Sequence, residues 1–327
     1  MATVAPETTE ALPAGAQGEE QIAGKSPREL FWARFKEDRA ALIGFAMIVA
    51  LIALAASAGL IAKAVGHGPH EAFLFETTDE FGIPNEAPSS AFLFGADANG
   101  RDVFVRVLYG ARTSLFVALL ATGLAVAFGI IVGLVAGYFG GAVDTLLSRT
   151  LDIFLAMPTL LFAVGIAAAC GTTAEGCLGG LIKPSRVLVA VIISLFTWPY
   201  IARIVRGNTL SIREKEFVEA ARSLGAGNGR IMFREVLPNL VAPIIVYATL
   251  LIPSNILFEA ALSFLGLGVP EKIPSWGGML SDASEGGLYQ TAWWLMLFPG
   301  LFLLATTLAF NLLGDGLRDA LNPRSGR

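Results

Sequence analysis

The side chains best able to make or break bonds are scarce in this chain and far apart. His67 and His70 are its only histidines and Cys170 and Cys177 its only cysteines. About a hundred residues separate the two pairs, so no four-ligand zinc pattern exists. Neither cysteine has a nearby His or Lys that would lower a thiol pKa and make it a nucleophile. They bracket the segment CGTTAEGC, which allows either a loop-closing disulfide in an oxidising compartment or a pair of reduced thiols. Acid–base or proton-relay chemistry needs several positioned groups, whereas the apolar segments hold essentially one deep carboxylate, Glu259. The run Ala-Gly-Lys-Ser at 23 to 26 has the ending of a phosphate-binding loop. Glu19 nevertheless occupies the position of the first glycine, Pro27 follows, and no strand precedes it. The expectation is a chain that is not an enzyme and binds no metal, cofactor or nucleotide of its own.

The elements that position these residues are apolar. Of 327 residues 54% are hydrophobic and 15% charged, with a mean hydropathy of +0.65, against roughly a quarter charged in a soluble domain. Net charge is −4 and pI about 5.4, which excludes a cationic face that could track nucleic acid. Six stretches are long enough to cross about 30 Å of hydrocarbon as helices. Their approximate cores are 41–62, 115–138, 151–170, 187–205, 240–265 and 291–313. The predicted fold class is therefore an all-α polytopic membrane protein with six transmembrane helices. Barrel-type alternation is absent.

Residues 1–24 are polar and aperiodic and read as a disordered tail. The first apolar run is expected to be a retained span with no signal peptide before it. With the N-terminus placed inside, sixteen of the 23 Lys and Arg fall on the inner side and seven outside, so both termini are assigned to the cytoplasm. The resulting organisation is a cytoplasmic tail over 1–40, a first span over 41–65 and an extracytoplasmic loop over 66–114. A five-helix core follows over 115–313, with a cytoplasmic loop at 206–238, and then a cytoplasmic tail over 314–327. Within the outer loop, Val103, Val107 and Leu108 at helical spacing predict an interfacial helix leading into the second span, with a solvated connector as the alternative.

Gly129, Gly133 and Gly137 recur every fourth residue, a stripe that permits close helix approach. Pro158, Pro199, Pro253 and Pro299 lie in or at the ends of later spans, where each either bends a helix around a movable pathway or is accommodated by its neighbours. Asn255 and Glu259 in the fifth span, Asn311 in the sixth, and Arg149 and Asp152 at the inner entrance of the third are the polar groups at depth. Glu259 must face a protein partner or a water-filled cavity, because an ionisable group in lipid is costly.

The loop RGNTLSIREKEFVEAARSLGAGNGRIMFREVLP, 206–238, is the most informative stretch. Phe217, Ala220, Ala221 and Leu224 form an apolar face on a short helix whose other side carries Glu214, Lys215, Glu219 and Arg222. Gly225, Gly227 and Gly229 break it into a turn, and a second short helix is expected from about Arg230 to Leu237, stopping before Pro238. Glu219, Ala220, Ala221, Gly225, Leu237 and Pro238 fit the EAA pattern, with Glu235 at its aliphatic position. The loop thus resembles the EAA loop of inner-membrane permease subunits of ABC importers. Gly95 through Gly100, Arg101 and Asp102 to Ser114 and Leu115, then AALSFLGLGVP from Ala260, PSWGG from Pro274 and AFNLLGDGLRDALNP from Ala309, look like the C-type permease of dipeptide, oligopeptide and nickel importers. Glu271 and Lys272 interrupt the proline run usual before Ser-Trp-Gly. The resemblance spans nearly everything from Leu30 to Pro323.

That resemblance implies a type I ABC importer permease fold in a bacterial plasma membrane. It also implies a second homologous permease, cytoplasmic ATPase subunits that bind ATP and Mg, an extracytoplasmic solute-binding protein, surrounding membrane lipid and a peptide substrate. Closure of the nucleotide sandwich would move the hairpin and alternate access to a central pathway. Gly225 would permit the turn, Glu219 and Arg222 would make charged contacts, and Ala220 and Ala221 would allow close seating. Gly129, Gly133, Gly137, Asn255 and Glu259 are the candidates for the pathway or for helix packing. Nickel, opine or glutathione importers share these motifs. An ion-coupled secondary carrier would need midplane ion sites and repeated halves, and an intramembrane enzyme a paired catalytic set; the sequence offers neither.

Overall fold

The computed structural model describes residues 26–78, 86–171 and 183–321. Helix α1, Pro27–Glu37, starts at a capping box: Ser26 Oγ accepts from Glu29 N, and Glu29 Oε2 accepts from Ser26 N at 2.9 Å. Asp38 then caps α2, Arg39–Val65, by accepting from Ala40 N at 2.9 Å and Ala41 N at 3.1 Å. Gly66 closes α2 in the left-handed region with φ 84°. Part of the expected N-terminal tail is therefore ordered helix, seated through Phe35 and Ala41 on Ala320 at the far end of the chain.

Helix α3, Val103–Phe139, is a single rod of 37 residues, about 55 Å at 1.5 Å per residue. The helix expected to lead into the second span starts at Val103 and runs into that span without a break. Val103, Val107 and Leu108 are buried at the outer end of the same helix, because no residue after the Asp102 cap interrupts it and Arg106 finds carboxylate partners that permit its burial. The third span is also corrected. It consists of α4, Gly141–Ala156, and α5, Thr159–Gly171, bent by 84° across Met157 and Pro158. Pro158 is the proline that breaks its span; Pro199, Pro253 and Pro299 lie inside continuous helices.

Helix α6, Arg186–Ile212, and α8, Asn228–Phe264, reach well past the predicted span limits. The 206–238 loop thus contracts to the connection 213–227 and the short helix α7, Glu216–Ser223. The expected stop before Pro238 is absent as well. Residues Ile231–Val236 form a π-helical turn in which Leu237 N donates to Met232 O, five residues back. This widened turn carries the helix past the proline's missing N–H. Helix α9, Trp276–Ser284, is capped by Ser275 and precedes α10, Trp294–Leu321.

Five helices, α2, α3, α6, α8 and α10, are each long and apolar enough to cross a membrane, and counting the bent α4–α5 pair as one span gives six. Among the described residues there is no β-strand; Ala96 and Asp102 form an isolated bridge. The fold is a helical membrane bundle with α3 and α6 at its centre.

Candidate functional site

The hairpin between α6 and α8 is built outward from Val218. That side chain is fully buried in the cluster that holds Leu134, Tyr138, Ile231, Val236 and Leu240, so α7 is pinned to α3 and α8. The buried anchor is thus Val218 and not the predicted apolar face of Phe217, Ala220, Ala221 and Leu224. Of those, Ala221 alone turns partly inward, while Phe217 is 42% and Leu224 88% exposed. Glu219, Ala220 and Arg222 are exposed with them. After α7, Gly225 adopts φ +81° and lets Ala226 N donate to Ala221 O and Gly225 N to Arg222 O, both at 3.0 Å. Leu237 packs at the edge of the same cluster, and Pro238 is exposed.

Two polar bonds fasten this hairpin to the spans. Tyr138 Oη donates to Asn228 Oδ1 at 3.0 Å, and Arg213 Nη1 donates to Gly137 O at 3.0 Å. The second bond satisfies a carbonyl at the open end of α3 with a cation, where the helix dipole favours one.

Gly129, Gly133 and Gly137 face α6. A β-carbon on them would approach Ile201 Cβ to 2.8 Å, Ala202 O to 2.4 Å and Thr209 Cβ to 2.6 Å respectively. The inner ends of α4 and α6 are joined by ion pairs. Arg206 holds Asp144 through a two-nitrogen fork, and Arg203 Nη2 lies 2.7 Å from Asp152 Oδ1. Arg149, 3.8 Å from Asp152, completes the wall of a recess of about 440 Å³.

Asn255 and Glu259 are both fully buried on α8. Asn255 Nδ2 donates to Thr122 Oγ1 on α3 at 2.8 Å, and its Oδ1 has no partner. Glu259 Oε1 accepts from Ser263 Oγ at 2.7 Å, and Ser263 Oγ accepts in turn from Val269 N at 3.2 Å. Glu259 thus fixes the chain where it leaves the outer end of α8, while Asn255 sits deeper beside a cavity. Asn311 lies on an exposed face of α10. Cys170 is buried in the cluster with Leu188 and Val189; Cys177 lies outside the described residues.

An outer charge cluster was not legible in the sequence because Asp282 lies far along the chain from the stretch that holds Asp97, Arg101 and Arg106. Asp97 Oδ2 lies 2.7 Å from Arg101 Nε and 3.3 Å from Arg106 Nε, and Asp282 Oδ2 lies 3.6 Å from both arginines. Burial pushes the Asp282 carboxyl above its ordinary value, against the opposing pull of Arg106 and Arg101. Nearby, His67 Nδ1 sits 2.6 Å from Asp102, the cap of α3. Among the described residues no group of three or more His, Cys, Asp or Glu could hold a metal.

Residues 129–327 match the family described as binding-protein-dependent transport system inner membrane component, and residues 26–86 match the N-terminal TM domain of oligopeptide transport permease C. The chain is 40% identical over 306 residues to the dipeptide transport system permease protein DppC of Alkalihalophilus pseudofirmus, covering 94% of this chain and 93% of that one. It is 38% identical to the protein of the same name from Haemophilus influenzae, covering 93% and 97%. Identity to the glutathione transport system permease protein GsiD of Pectobacterium atrosepticum is 37%, covering 92% of each chain. A chain of the inward-facing MetNI methionine ABC transporter superposes with a TM-score of 0.53 at 18% identity, over 67% of this chain and 97% of that chain. That likeness concerns the fold.

Proposed function

Because the chain belongs to the family of binding-protein-dependent transport system inner membrane components, we propose that it carries short peptides inward, driven by separate ATPase subunits that dock on the α7 hairpin. Family membership makes the chain an ABC importer permease, a multi-pass subunit of the inner membrane that translocates rather than catalyses. The finer reading adds a second permease, a pair of ATP- and Mg-binding subunits, and an extracytoplasmic binding protein that delivers the substrate.

The observation that carries this reading is the two-sidedness of α7. Its inner side is anchored by Val218, while Phe217, Glu219, Ala220, Arg222 and Leu224 project without a covering partner. An 88%-exposed leucine beside a Glu and an Arg is an apolar contact with a charged rim, the composition of a protein-docking surface. Load applied there passes through Val218 into α8 and through Tyr138–Asn228 and Arg213–Gly137 into α3. The α3 glycine ridge, closely packed on α6, then moves both helices together, because packed interfaces shift between discrete arrangements instead of deforming. Peptides are favoured as substrate by the dipeptide names of the relatives above.

The test is reconstitution of this chain with its neighbouring-gene permease, ATPases and binding protein in proteoliposomes. ATP-dependent accumulation of labelled dialanine supports the proposal. Accumulation that persists without ATP but with a proton gradient would instead revive the ion-coupled carrier. ATP-driven uptake of nickel or an opine with none of dialanine would reassign the substrate.

A further inference from the structure

The face of the bundle formed at the break of the third span differs from its lipid-facing surfaces. On α2 the exposed side chains include Ile43, Phe45, Val49, Ile52 and Leu60, as hydrocarbon requires. Between α5, α6 and α8, by contrast, a cavity of about 420 Å³ is lined by Thr159, Thr197, Tyr200, Tyr247, Ser254 and Asn255, interspersed with apolar groups such as Phe196 and Phe258. Tyr200 is 57% and Tyr247 39% exposed. Hydroxyls left open to lipid tails are costly, because nothing there replaces water as their partner. This face is therefore less suited to lipid than the exposed side of α2.

The hydrogen-bonding capacity in the cavity is largely unspent. Thr197 Oγ1 donates back to Ile193 O at 3.0 Å and keeps its acceptor sites. Asn255, fully buried, spends its amide nitrogen on Thr122 and leaves Oδ1 without a partner. The 84° break at Met157 and Pro158 brings the start of α5 to the rim at Thr159, and interrupted helices expose main-chain groups that transporters use at substrate sites. No carboxylate, amine, guanidinium or imidazole lines the cavity.

We propose that this cavity is a transit subsite for the backbone of a short peptide, in which hydroxyl side chains bond its amide groups and the absence of fixed charge makes passage indifferent to the sign of its side-chain charge. The inference rests on the peptide-carrier reading above and deepens it by naming where the carried molecule is touched. An acceptor such as the Ser254, Tyr200 or Tyr247 hydroxyl suits a peptide N–H, a donor common to peptides of any sequence. A lining without fixed charge gives no Coulombic preference between a Lys and a Glu side chain. Occupancy stays brief, which a conducting site requires.

The assembled transporter in proteoliposomes provides the test, with labelled Ala-Ala, Ala-Lys and Ala-Glu as probes and each rate normalised to the unaltered complex. Ser254→Glu should slow Ala-Glu relative to Ala-Lys by about tenfold, through like charge placed in the path. Equal rates for the two peptides in that variant overturn the proposal. Should Ser254→Glu fail to assemble, Ser254→Cys decides the matter. Its thiol should react with a water-soluble methanethiosulfonate reagent beyond the background of the parent complex, and Ala-Ala supplied with binding protein and ATP should retard the reaction. A Ser254→Cys thiol that never reacts, or reacts equally with and without Ala-Ala, refutes the subsite. If the unaltered complex responds to its binding protein but takes up none of the three peptides, the peptide-carrier reading itself fails, whatever the variants do.

Discussion

A methyl group built on the α-carbon of Gly133 would lie 2.4 Å from the carbonyl oxygen of Ala202, and with Gly129 and Gly137 this makes three successive turns of α3 ride on the backbone of α6. Backbone cannot step aside as a side-chain tip can. Gly133→Ala should therefore force the two helices apart and cost about 1–3 kcal/mol, the range for overpacking. Gly123→Ala, on the same helix but with nothing within 4 Å of the added carbon, is the matched control. Thermal denaturation of the detergent-solubilised protein reads the difference. Equal midpoints for the two variants would show that the ridge is not a tight contact.

The inner ends of α4 and α6 depend on the shape of a guanidinium as well as its charge. Arg206 Nη2 donates to Asp144 Oδ2 at 2.8 Å while Nε bonds Oδ1, and Ser148 Oγ donates to the same carboxylate at 3.2 Å. A lysine keeps the charge and loses the fork. Arg206→Lys should weaken the contact by about 0.5–1 kcal/mol, since the pair is partly solvated. A double-mutant cycle with Asp144→Ala and Arg206→Ala measures the coupling directly, and a coupling energy near zero would contradict the arrangement.

How much of this was readable from sequence depends on whether a feature is local. The turn at Gly225 involves residues within a few positions of one another, and its chemistry is visible in the string; the Ser26–Glu29 capping box is just as local but was hidden by the phosphate-loop-like run that ends on Ser26. The four-residue glycine period marks a packing stripe, although only the fold names α6 as what it packs on. The bend at Pro158 and the continuity of α8 through Pro238 look alike in sequence. They diverge because a π-turn absorbs one missing donor while the other interrupts the helix. Val218 was hidden because a short helix offers too few turns for periodicity to separate the side facing the bundle from the side facing away. The Asp97–Arg101–Arg106–Asp282 cluster was hidden because tertiary folding alone brings Asp282 across some 176 residues to Arg106.

That outer cluster carries a pH signature of definite sign. Burial holds the Asp282 carboxyl above its ordinary value of 3.8, the partial charge compensation from Arg106 and Arg101 notwithstanding. The folded chain thus keeps a proton that the unfolded chain has released between those two values. Its contribution favours folding below the ordinary value and is lost as pH rises through the raised one. Asp282→Asn should flatten the pH dependence of stability in that acidic window. Denaturation followed across mildly acidic pH checks this, and an unchanged slope in the variant would mean Asp282 titrates normally.

Gly225 offers the sharpest separation of backbone conformation from side-chain contact. At φ +81° an L-residue is strained, yet nothing stands within 4 Å of an added β-carbon, so a substitution acts through the turn alone. A left-handed conformation costs an ordinary residue about 1–2 kcal/mol and Asn less. Gly225→Val should tilt α7 off its Val218 anchor and lower both binding-protein-stimulated ATP hydrolysis and peptide uptake by about tenfold, the ratio that corresponds to some 1.4 kcal/mol. Gly225→Asn should retain much of both. Gly227→Ala, at a negative φ and also in open space, should change neither. Membrane insertion, followed by protease protection, should be unaffected in all three. If Gly225→Val hydrolyses ATP and imports peptide at the unaltered rate, the left-handed turn is dispensable and force does not pass through the hairpin.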